Sequence, residues 1–393
     1  MRHTQYTLTR QDVHRLATDR LLTHLRLPQA SRRCPPAVLL SVVLLAAARL
    51  TSVFAAAQRL AAASAETVRR ALLASLPDHQ ELERRLNRAL AADLPRGLAG
   101  TRPPLACDLT LRPYHGQPLQ DPAEVYRGQA KCGTTHFHAY ATCYAVRRGR
   151  RFTLALTWVR RGERLEDVLW RLLRQARRLG LRPRYLLLDR AFCSVGVVRY
   201  LQAGRYPFLM PLPLRGLKAG QPGGPSGSRV FAYARRGGWA SYTLKSGGRT
   251  ATVRVCVKCR NWRGQWGRSG RQRLVYAFWG LEPKSVEWVR QAYRGRFGIE
   301  ASYRQMNQAR AATCTRDPAV RLFLVGVALV LRNLWVWLHW RVLSAPRRGG
   351  RQVRLGRLRF KAMLVWLQHM AEELLGATDE APAERPLSQG VAA

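Results

Sequence analysis

Residues 184–210 read RYLLLDRAFCSVGVVRYLQAGRYPFLM, and this segment sets out a strand, a helix and a second strand in order. The short apolar run Arg184–Leu188 predicts a strand that ends at Asp189. Val195–Ala203 predicts a helix, and Tyr206–Met210 predicts the next strand. Because strands that alternate with helices are typical of α/β sheets, we expect Asp189 to project from the sheet edge at which ligands bind.

The residues before this segment predict three more strands and a further helix. Leu105–Leu111, Thr134–Val146 and Arg151–Val159 are rich in Thr, Phe, Tyr and Val, which favours strands. Leu165–Leu179 carries its leucines on one face of a helix. The order is three strands, helix, strand, helix, strand. It predicts an α/β sheet with one antiparallel half, the arrangement expected of a ribonuclease-H-like domain.

The first 95 residues repeat Leu, Ala and Arg at spacings of three and four, which predicts a helical N-terminal domain. Within it, Ser52–Leu60 and Ala65–Leu76 resemble a helix-turn-helix with Ser64 as the N-cap of the second helix. The alternative is a plain helical bundle. Two arginines expected to be exposed near the middle of the second helix are candidates for DNA contact: Arg69 and Arg70.

The block at residues 211–284 predicts a β-rich basic insertion. Its strand candidates are Arg229–Ala234, Ala240–Leu244, Thr250–Lys258 and Arg273–Trp279. From Arg190 through Leu281 the chain has 17 Lys and Arg and no Asp or Glu, which favours contact with a polyanion. Aromatic rings lie beside guanidinium groups there, which suits stacking on unpaired or flipped bases: Trp262, Arg263 and Trp266. The alternative is a loop whose tryptophans fold back onto the insertion.

Helices are predicted again after the insertion, at Ser285–Ala309, Val320–Leu343 and Leu358–Leu375. The predicted organisation is a helical N-terminal domain (1–95), a linker at Pro95–Pro104, a first core part (105–210), the insertion (211–284), a last core part with the helix of Glu300 (285–345), a C-terminal helical region (346–375) and a disordered tail (376–393).

The charge of the chain points to a polyanionic partner. Lys and Arg number 67 against 23 Asp and Glu, which gives a net charge of +44. Self-repulsion of this size destabilises the compact state unless a polyanion lies against it. Nucleic acid is the first candidate and an anionic membrane surface the second.

Two other classes of site receive little support. The longest apolar run, Leu322–Leu331, stops before Arg332, whereas a membrane span needs about 20 residues. It predicts a buried helix rather than a membrane span, and we expect DNA, not a membrane, as the partner. Cys256 and Cys259 form one CxxC, but a structural zinc site needs four ligands, so two thiols in a strand is the interpretation we favour.

Three carboxylates stand out in a chain this poor in acid. Asp108 lies within the first strand, Asp189 ends a buried strand, and Glu300 lies on a late helix. Carboxylate oxygens are hard ligands, so three that converge suit Mg²⁺ or Mn²⁺. Two such ions about 3.5–4 Å apart serve phosphodiester displacement in many enzymes. The alternatives are a strand-end cap for Asp189 and a surface salt bridge for Glu300.

The segment YRGRFGIEASYRQMNQ carries Y-x2-R-x3-E at Tyr293, Arg296 and Glu300. It resembles the tyrosine–arginine–glutamate–lysine signature of the DDE insertion-sequence transposases. Asp189 stands in a context similar to that of the second Asp of this family, and Asp108 in CDLTLRPYHG fits the first. The resemblance covers roughly residues 100–345, including the β-rich insertion.

The resemblance implies a transposase that acts on double-stranded DNA. Asp108, Asp189 and Glu300 would hold two Mg²⁺ or Mn²⁺ ions. Tyr293 and Arg296 would present a hydroxyl and a charged fork to a DNA phosphate. Water would cut the strand at the terminal inverted repeats, and the freed 3′-OH would attack target DNA. We expect a homodimer in a synaptic complex, in the prokaryotic cytoplasm at the nucleoid.

One position departs from the signature. The family's lysine would fall seven residues after Glu300, where this chain has Asn307. Arg304 and Arg310, three residues to either side and so expected on roughly the same helix face, are candidate substitutes for a phosphate contact. The alternatives to a transposase are a ribonuclease-H-like nuclease that cuts without joining, and a basic DNA-binding protein whose active site has decayed.

Overall fold

Five helices open the chain, and side chains that commonly cap helices begin several of them. The computed structural model describes residues 7–147, 151–263, 269–348 and 350–377. Thr9 and Asp12 form a reciprocal capping box, and Ser64 and Asp78 accept hydrogen bonds from the first amides of later helices. The helices are α1 (Arg10–Leu25), α2 (Pro36–Arg49), α3 (Val53–Ala57), α4 (Ala65–Ser75) and α5 (His79–Ala91).

The predicted helix-turn-helix has a shorter first helix than expected. Helix α3 ends at Ala57 rather than Leu60, because the chain beyond it pairs with the C-terminal segment. The Ala61 amide donates to the Gly376 carbonyl oxygen at 2.9 Å. Ser64 caps α4, as predicted, through the Thr67 amide.

The central sheet is built from strands before and after the first core helix. Its elements are β1 (Leu105–Pro113), β2 (Tyr126–Lys131), β3 (Thr134–Ala145), β4 (Thr153–Val159), α6 (Leu165–Arg178), β5 (Leu186–Leu188), α7 (Val195–Ala203) and β6 (Phe208–Pro211). Strand β1 pairs antiparallel with β3 and parallel with β5, and β5 pairs parallel with β6. The expected α/β sheet with one antiparallel half is confirmed.

The insertion extends this sheet. Its strands are β7 (Gly238–Ser246), β8 (Arg249–Arg263) and β9 (Ser269–Trp279), and β9 pairs antiparallel with β6. Within the described ranges the order is β2-β3-β1-β5-β6-β9-β8-β7, with β4 also on β3.

The strand predicted at Arg229–Ala234 is wrong. Gly227–Tyr233 is a 3-10 helix, because this segment bonds to the preceding loop rather than to a strand. The Ser228 hydroxyl donates to the Pro213 carbonyl oxygen, and the Arg229 amide donates to that of Arg215.

The helix predicted over Ser285–Ala309 is divided in two at Gly295. The last elements are α8 (Val286–Arg294), α9 (Phe297–Asn307), α10 (Pro318–Trp337), β10 (Ala345–Arg347), β11 (Gly350–Gln352) and α11 (Phe360–Leu375). The buried amide of Asn333 on α10 bonds to β4 at Thr153 and to α5 at Leu90, so this helix joins the N-terminal helices to the sheet.

In the described part of the chain, α10 with the π-helical turn that follows it (Pro318–Val342) is the one helix long and apolar enough to cross a membrane, and 94% of its most apolar window is buried inside the molecule. Arg332 and Asn333 interrupt the apolar sequence of this helix and are themselves buried. The helix therefore lies in the core of the protein. The predicted tail lies almost wholly outside the described residues, since 378–393 are not among them.

Candidate active site

Strand pairing brings Asp108 and Asp189 side by side. Cys107 on β1 pairs with Leu188, the last residue of the parallel strand β5, so Asp108 on β1 lies beside Asp189, which directly follows β5. The Asp108 side chain is buried and accepts a hydrogen bond from the Leu109 amide at 2.9 Å. Asp189 begins the 3-10 turn after β5, and its side chain is 38% exposed.

Glu300 reaches the same place from the first turn of α9. Hydrogen bonds fix this helix against the sheet. The Tyr303 hydroxyl donates to the Asp108 carbonyl oxygen at 3.1 Å and shares a 2.7 Å hydrogen bond with the Thr142 hydroxyl. The Tyr144 hydroxyl donates to the Gly298 carbonyl oxygen at 3.0 Å. These contacts set the angle at which Glu300 faces the two aspartates.

A single guanidinium group contacts all three carboxylates. Arg296 donates through Nη1 to Asp108 Oδ2 at 2.9 Å, and through Nη2 to Asp189 Oδ1 at 3.3 Å and Glu300 Oε1 at 3.4 Å. Arg296 lies between α8 and α9 with helical backbone angles, so it keeps the i, i+4 relation to Glu300 although the helix is interrupted. Its side chain is 8% exposed, whereas that of Glu300 is 45% exposed.

Burial dominates the electrostatics of the cluster. It raises the pKa of Asp108 to about 6, against the opposing effect of Arg296, and the nearby Asp189 adds to the rise. Burial lowers the pKa of Arg296, but its carboxylate and tyrosine neighbours outweigh this effect, and the net direction is upward. Arg296 therefore stays charged and favours the ionised form of Asp108.

Carboxylate oxygens are ligands that hard divalent cations prefer. In this structure the positively charged Arg296 already lies among the three carboxylates. Within the described ranges no group of three or more His, Cys, Asp or Glu side chains is arranged so that it could hold a metal ion as it stands. The Arg296 guanidinium occupies the space between the three carboxylates and neutralises part of their charge. The donor set therefore fits Mg²⁺ or Mn²⁺, provided that this guanidinium moves aside when the ions bind.

A family model described as Transposase DDE domain matches residues 105–333, from the start of β1 into α10. This chain belongs to the DDE transposase family. No curated protein matches the chain. The matched span contains all three carboxylates, and the expectation of a ribonuclease-H-like α/β core is confirmed.

The structure changes the roles expected of two signature residues of this transposase. Tyr293 does not present its hydroxyl to solvent, because it is buried and donates to the Leu188 carbonyl oxygen at 3.3 Å. Arg296 faces inward to the carboxylates rather than outward to a phosphate. Both side chains support the carboxylate cluster in this arrangement.

The Asn307 position has a neighbour that sequence reasoning missed. The side-chain oxygen of Asn307 accepts a hydrogen bond from Nη2 of Arg112, four residues after Asp108 on β1. Alternation along a strand places Asp108 and Arg112 on one face, and that signal was present in the sequence. Arg304 is exposed on α9, whereas Arg310 lies beyond the helix, which ends at Asn307, so the expectation of a shared helix face is wrong for Arg310.

A cavity of about 500 Å³ lies beside the cluster, between the insertion strands and α8. Its lining combines arginine side chains with aromatic rings and includes Arg190, Arg260, Arg273, Arg290, Arg294, Tyr276, Tyr293 and Phe297. Phe297, next to Arg296, is largely exposed. The cavity therefore brings arginines of the insertion next to Tyr293 and Phe297, on either side of Arg296 in the chain, which sequence alone did not indicate.

The remaining predicted DNA contacts lie away from the carboxylates in the chain. Arg69 and Arg70 are exposed on α4, and both pair with Glu66 at 2.7 Å. Trp262 and Arg263 end strand β8 with exposed side chains, and Trp266 lies outside the described residues. Contact of these residues with DNA stays a prediction. Cys256 and Cys259 lie on β8 as free thiols.

Proposed function

We propose that this transposase cleaves DNA at transposon ends and transfers the freed 3′-OH to target DNA, with Asp108, Asp189 and Glu300 as catalytic metal ligands. The observation that carries the proposal is the contact of all three carboxylates with one buried guanidinium group. Acidic side chains from two strands and a distant helix have no structural need to meet in a chain with this few acids.

The three carboxylates would hold two Mg²⁺ or Mn²⁺ ions. When bound, such ions activate the attacking oxygen and neutralise charge on the scissile phosphate and the leaving oxygen. The half-exposed Asp189 and Glu300 face the side from which DNA can approach, and the buried Asp108 fixes the depth of the site. Arg296 positions the carboxylates before DNA and metal arrive.

The substrate we propose is double-stranded DNA that carries the terminal inverted repeats of the element. The net charge of +44 and the basic cavity beside the cluster support a polyanionic substrate. Because transposition joins two ends to one target, we propose that two copies of the chain act together in a synaptic complex. A nucleoid-associated location in the cytoplasm follows from this substrate.

Incubation of the full-length protein with labelled end-sequence DNA, a target plasmid and Mn²⁺ tests the proposal. We expect nicked ends and joined products, and loss of both in Asp189→Asn. Glu282→Gln removes an exposed carboxylate elsewhere and serves as the matched control. Nicks without joining would favour a ribonuclease-H-like nuclease. Salt-sensitive binding with neither product would favour a DNA-binding protein with a decayed active site.

A further inference from the structure

Three arginines lie near one another around the buried side chain of Tyr140. Arg112 comes from β1, Arg310 from the segment after α9, and Arg321 from the first turn of α10. Burial raises the pKa of the Tyr140 hydroxyl, and the positive charges of all three arginines oppose this rise. We refer to Arg112, Arg310 and Arg321 as the arginine cluster.

No acidic side chain neutralises this cluster among the residues that the structure describes. None of its three members forms an ion pair with a described Asp or Glu, although half-buried arginines elsewhere, such as Arg171 with Glu163, do. Burial lowers the pKa of each guanidinium, that of Arg112 to about 10, and Arg310 adds to the lowering for both Arg112 and Arg321. Like charges are thus held together at a cost to stability.

Unused hydrogen-bond donors lie in the same neighbourhood. Nε of Arg112 and Nε of Arg310 are buried donors without a partner in the described structure. The two ring nitrogens of His138, one a donor and one an acceptor in the neutral ring, are also buried without a partner there. His138 lies opposite Arg112 in the β1–β3 pairing and packs against the ring of Tyr114 at 4.7 Å. Buried donors are nearly always satisfied in folded proteins, so their accumulation here indicates a missing acceptor.

We propose that the arginine cluster binds a phosphate of the DNA backbone. A phosphodiester oxygen supplies both the negative charge and the acceptors that the cluster lacks. Each guanidinium is only partly buried, so one side of the cluster is open. Arg112 connects the cluster to the catalytic helix through Asn307, and a phosphate held there would position the DNA strand relative to Glu300.

This inference rests on the proposed function for the identity of the ligand, but its geometry is separate from the carboxylates. It also accounts for Asn307 in the position of the family's lysine. The signature places a positively charged lysine on α9. Here Arg112 on β1 supplies the positive charge instead, and its hydrogen bond to Asn307 holds it in place. The competing explanation is that the arginines have only a structural role. Arg321, for example, stacks on the Tyr114 ring at 4.6 Å and donates a hydrogen bond to the Thr315 carbonyl oxygen.

Inorganic phosphate provides a test that needs no catalysis. We expect phosphate to raise the Tm of the full-length protein more than chloride at equal ionic strength. In Arg310→Gln we expect this difference to disappear and the Tm in phosphate-free buffer to rise, because the variant relieves repulsion among buried cations. A lower Tm with an unchanged response to phosphate would show that Arg310 is structural and would overturn the proposal.

Duplex DNA binding by Arg112→Gln and Arg310→Gln supplies the second test. Each variant should bind about tenfold more weakly or worse, since hydrogen bonds to charged groups are strong. Each should also flatten the plot of log K against log salt by about 0.9. Arg177→Gln removes an exposed charge on the remote helix α6 and should leave the affinity nearly unchanged. Equal effects in all three variants would overturn the proposal.

The two proposals fail in different ways. If the end-cleavage assay gives no product but these variants lose the phosphate response and the salt slope, the anion site stands and the catalytic proposal falls. If cleavage proceeds and the variants behave like Arg177→Gln, the reverse holds.

Discussion

Replacement of Arg296 by methionine tests the carboxylate cluster without any nucleic acid. The substitution keeps much of the side-chain volume and removes the only guanidinium group that contacts all three carboxylates among the described residues. Removal of one partner from a buried ion pair costs about 3–5 kcal/mol. Only Asp108 is buried with Arg296, whereas Asp189 and Glu300 are about two-fifths exposed and add little. We therefore expect a loss of about 3 kcal/mol at neutral pH.

The loss should depend on pH in a direction that the structure sets. Burial already raises the pKa of Asp108 to about 6 while Arg296 opposes the rise, so in the variant this pKa moves higher. A carboxyl whose pKa is raised by folding favours the folded state at low pH, and that contribution is lost as the pH rises through the folded pKa. The loss of stability in Arg296→Met should thus be small near pH 5, where Asp108 is largely protonated in both proteins, and should reach its full size near pH 8.

Thermal unfolding of wild type, Arg296→Met and the control Arg294→Met, from pH 5 to pH 8 with and without Mn²⁺, measures these effects. Arg294 is exposed two residues earlier. We expect Mn²⁺ to raise the Tm of Arg296→Met more than that of wild type, because the ion need not displace a guanidinium group. In the double variant that carries both Arg296→Met and Asp108→Asn, Mn²⁺ should no longer raise the Tm in this way. A deficit that is the same at every pH, with no gain from Mn²⁺, would refute the reasoning.

Three further predictions concern activity and DNA binding. Asp189→Ala should abolish strand cleavage while the affinity for end-sequence DNA, measured by fluorescence anisotropy, stays near normal or rises; joint loss of both would mark Asp189 as structural. Asn307→Lys should lower the Tm and give no faster cleavage in the labelled-end assay, because the new ammonium group lies against Arg112; faster cleavage would contradict this. Replacement of several arginines within residues 229–273 should flatten the salt dependence of DNA binding by about 0.9 for each lost phosphate contact, and an unchanged slope would place that block away from DNA.

The strand pattern and the three carboxylates were open to prediction from the sequence. The apolar run before Asp189 and the β-branched run around Asp108 are local signals, and strand pairing then converts them into neighbours. The division of the helix before Glu300 was not predicted, because Gly295 is a weak break and Arg296 keeps a helical backbone.

The direction of the charged side chains could not be predicted from spacing. Arg296 was expected to face a phosphate, but burial next to three carboxylates turns it inward, and this depends on the pairing of β1 with β5. Arg112 lies far from Arg310 and Arg321 in the chain, so their proximity is a tertiary contact that no local sequence pattern indicates. The strand predicted at 229–234 failed for a similar reason, since Ser228 bonds to a loop.

Diffraction from crystals of the full-length protein with end-sequence DNA and Mn²⁺, recorded with anomalous scattering from manganese, tests the assignment of the site most directly. We expect manganese density within coordination distance of Asp108, Asp189 and Glu300, with the Arg296 guanidinium displaced from their midst. If DNA is bound but manganese lies elsewhere, and Arg296 still contacts all three carboxylates, the result would contradict the account.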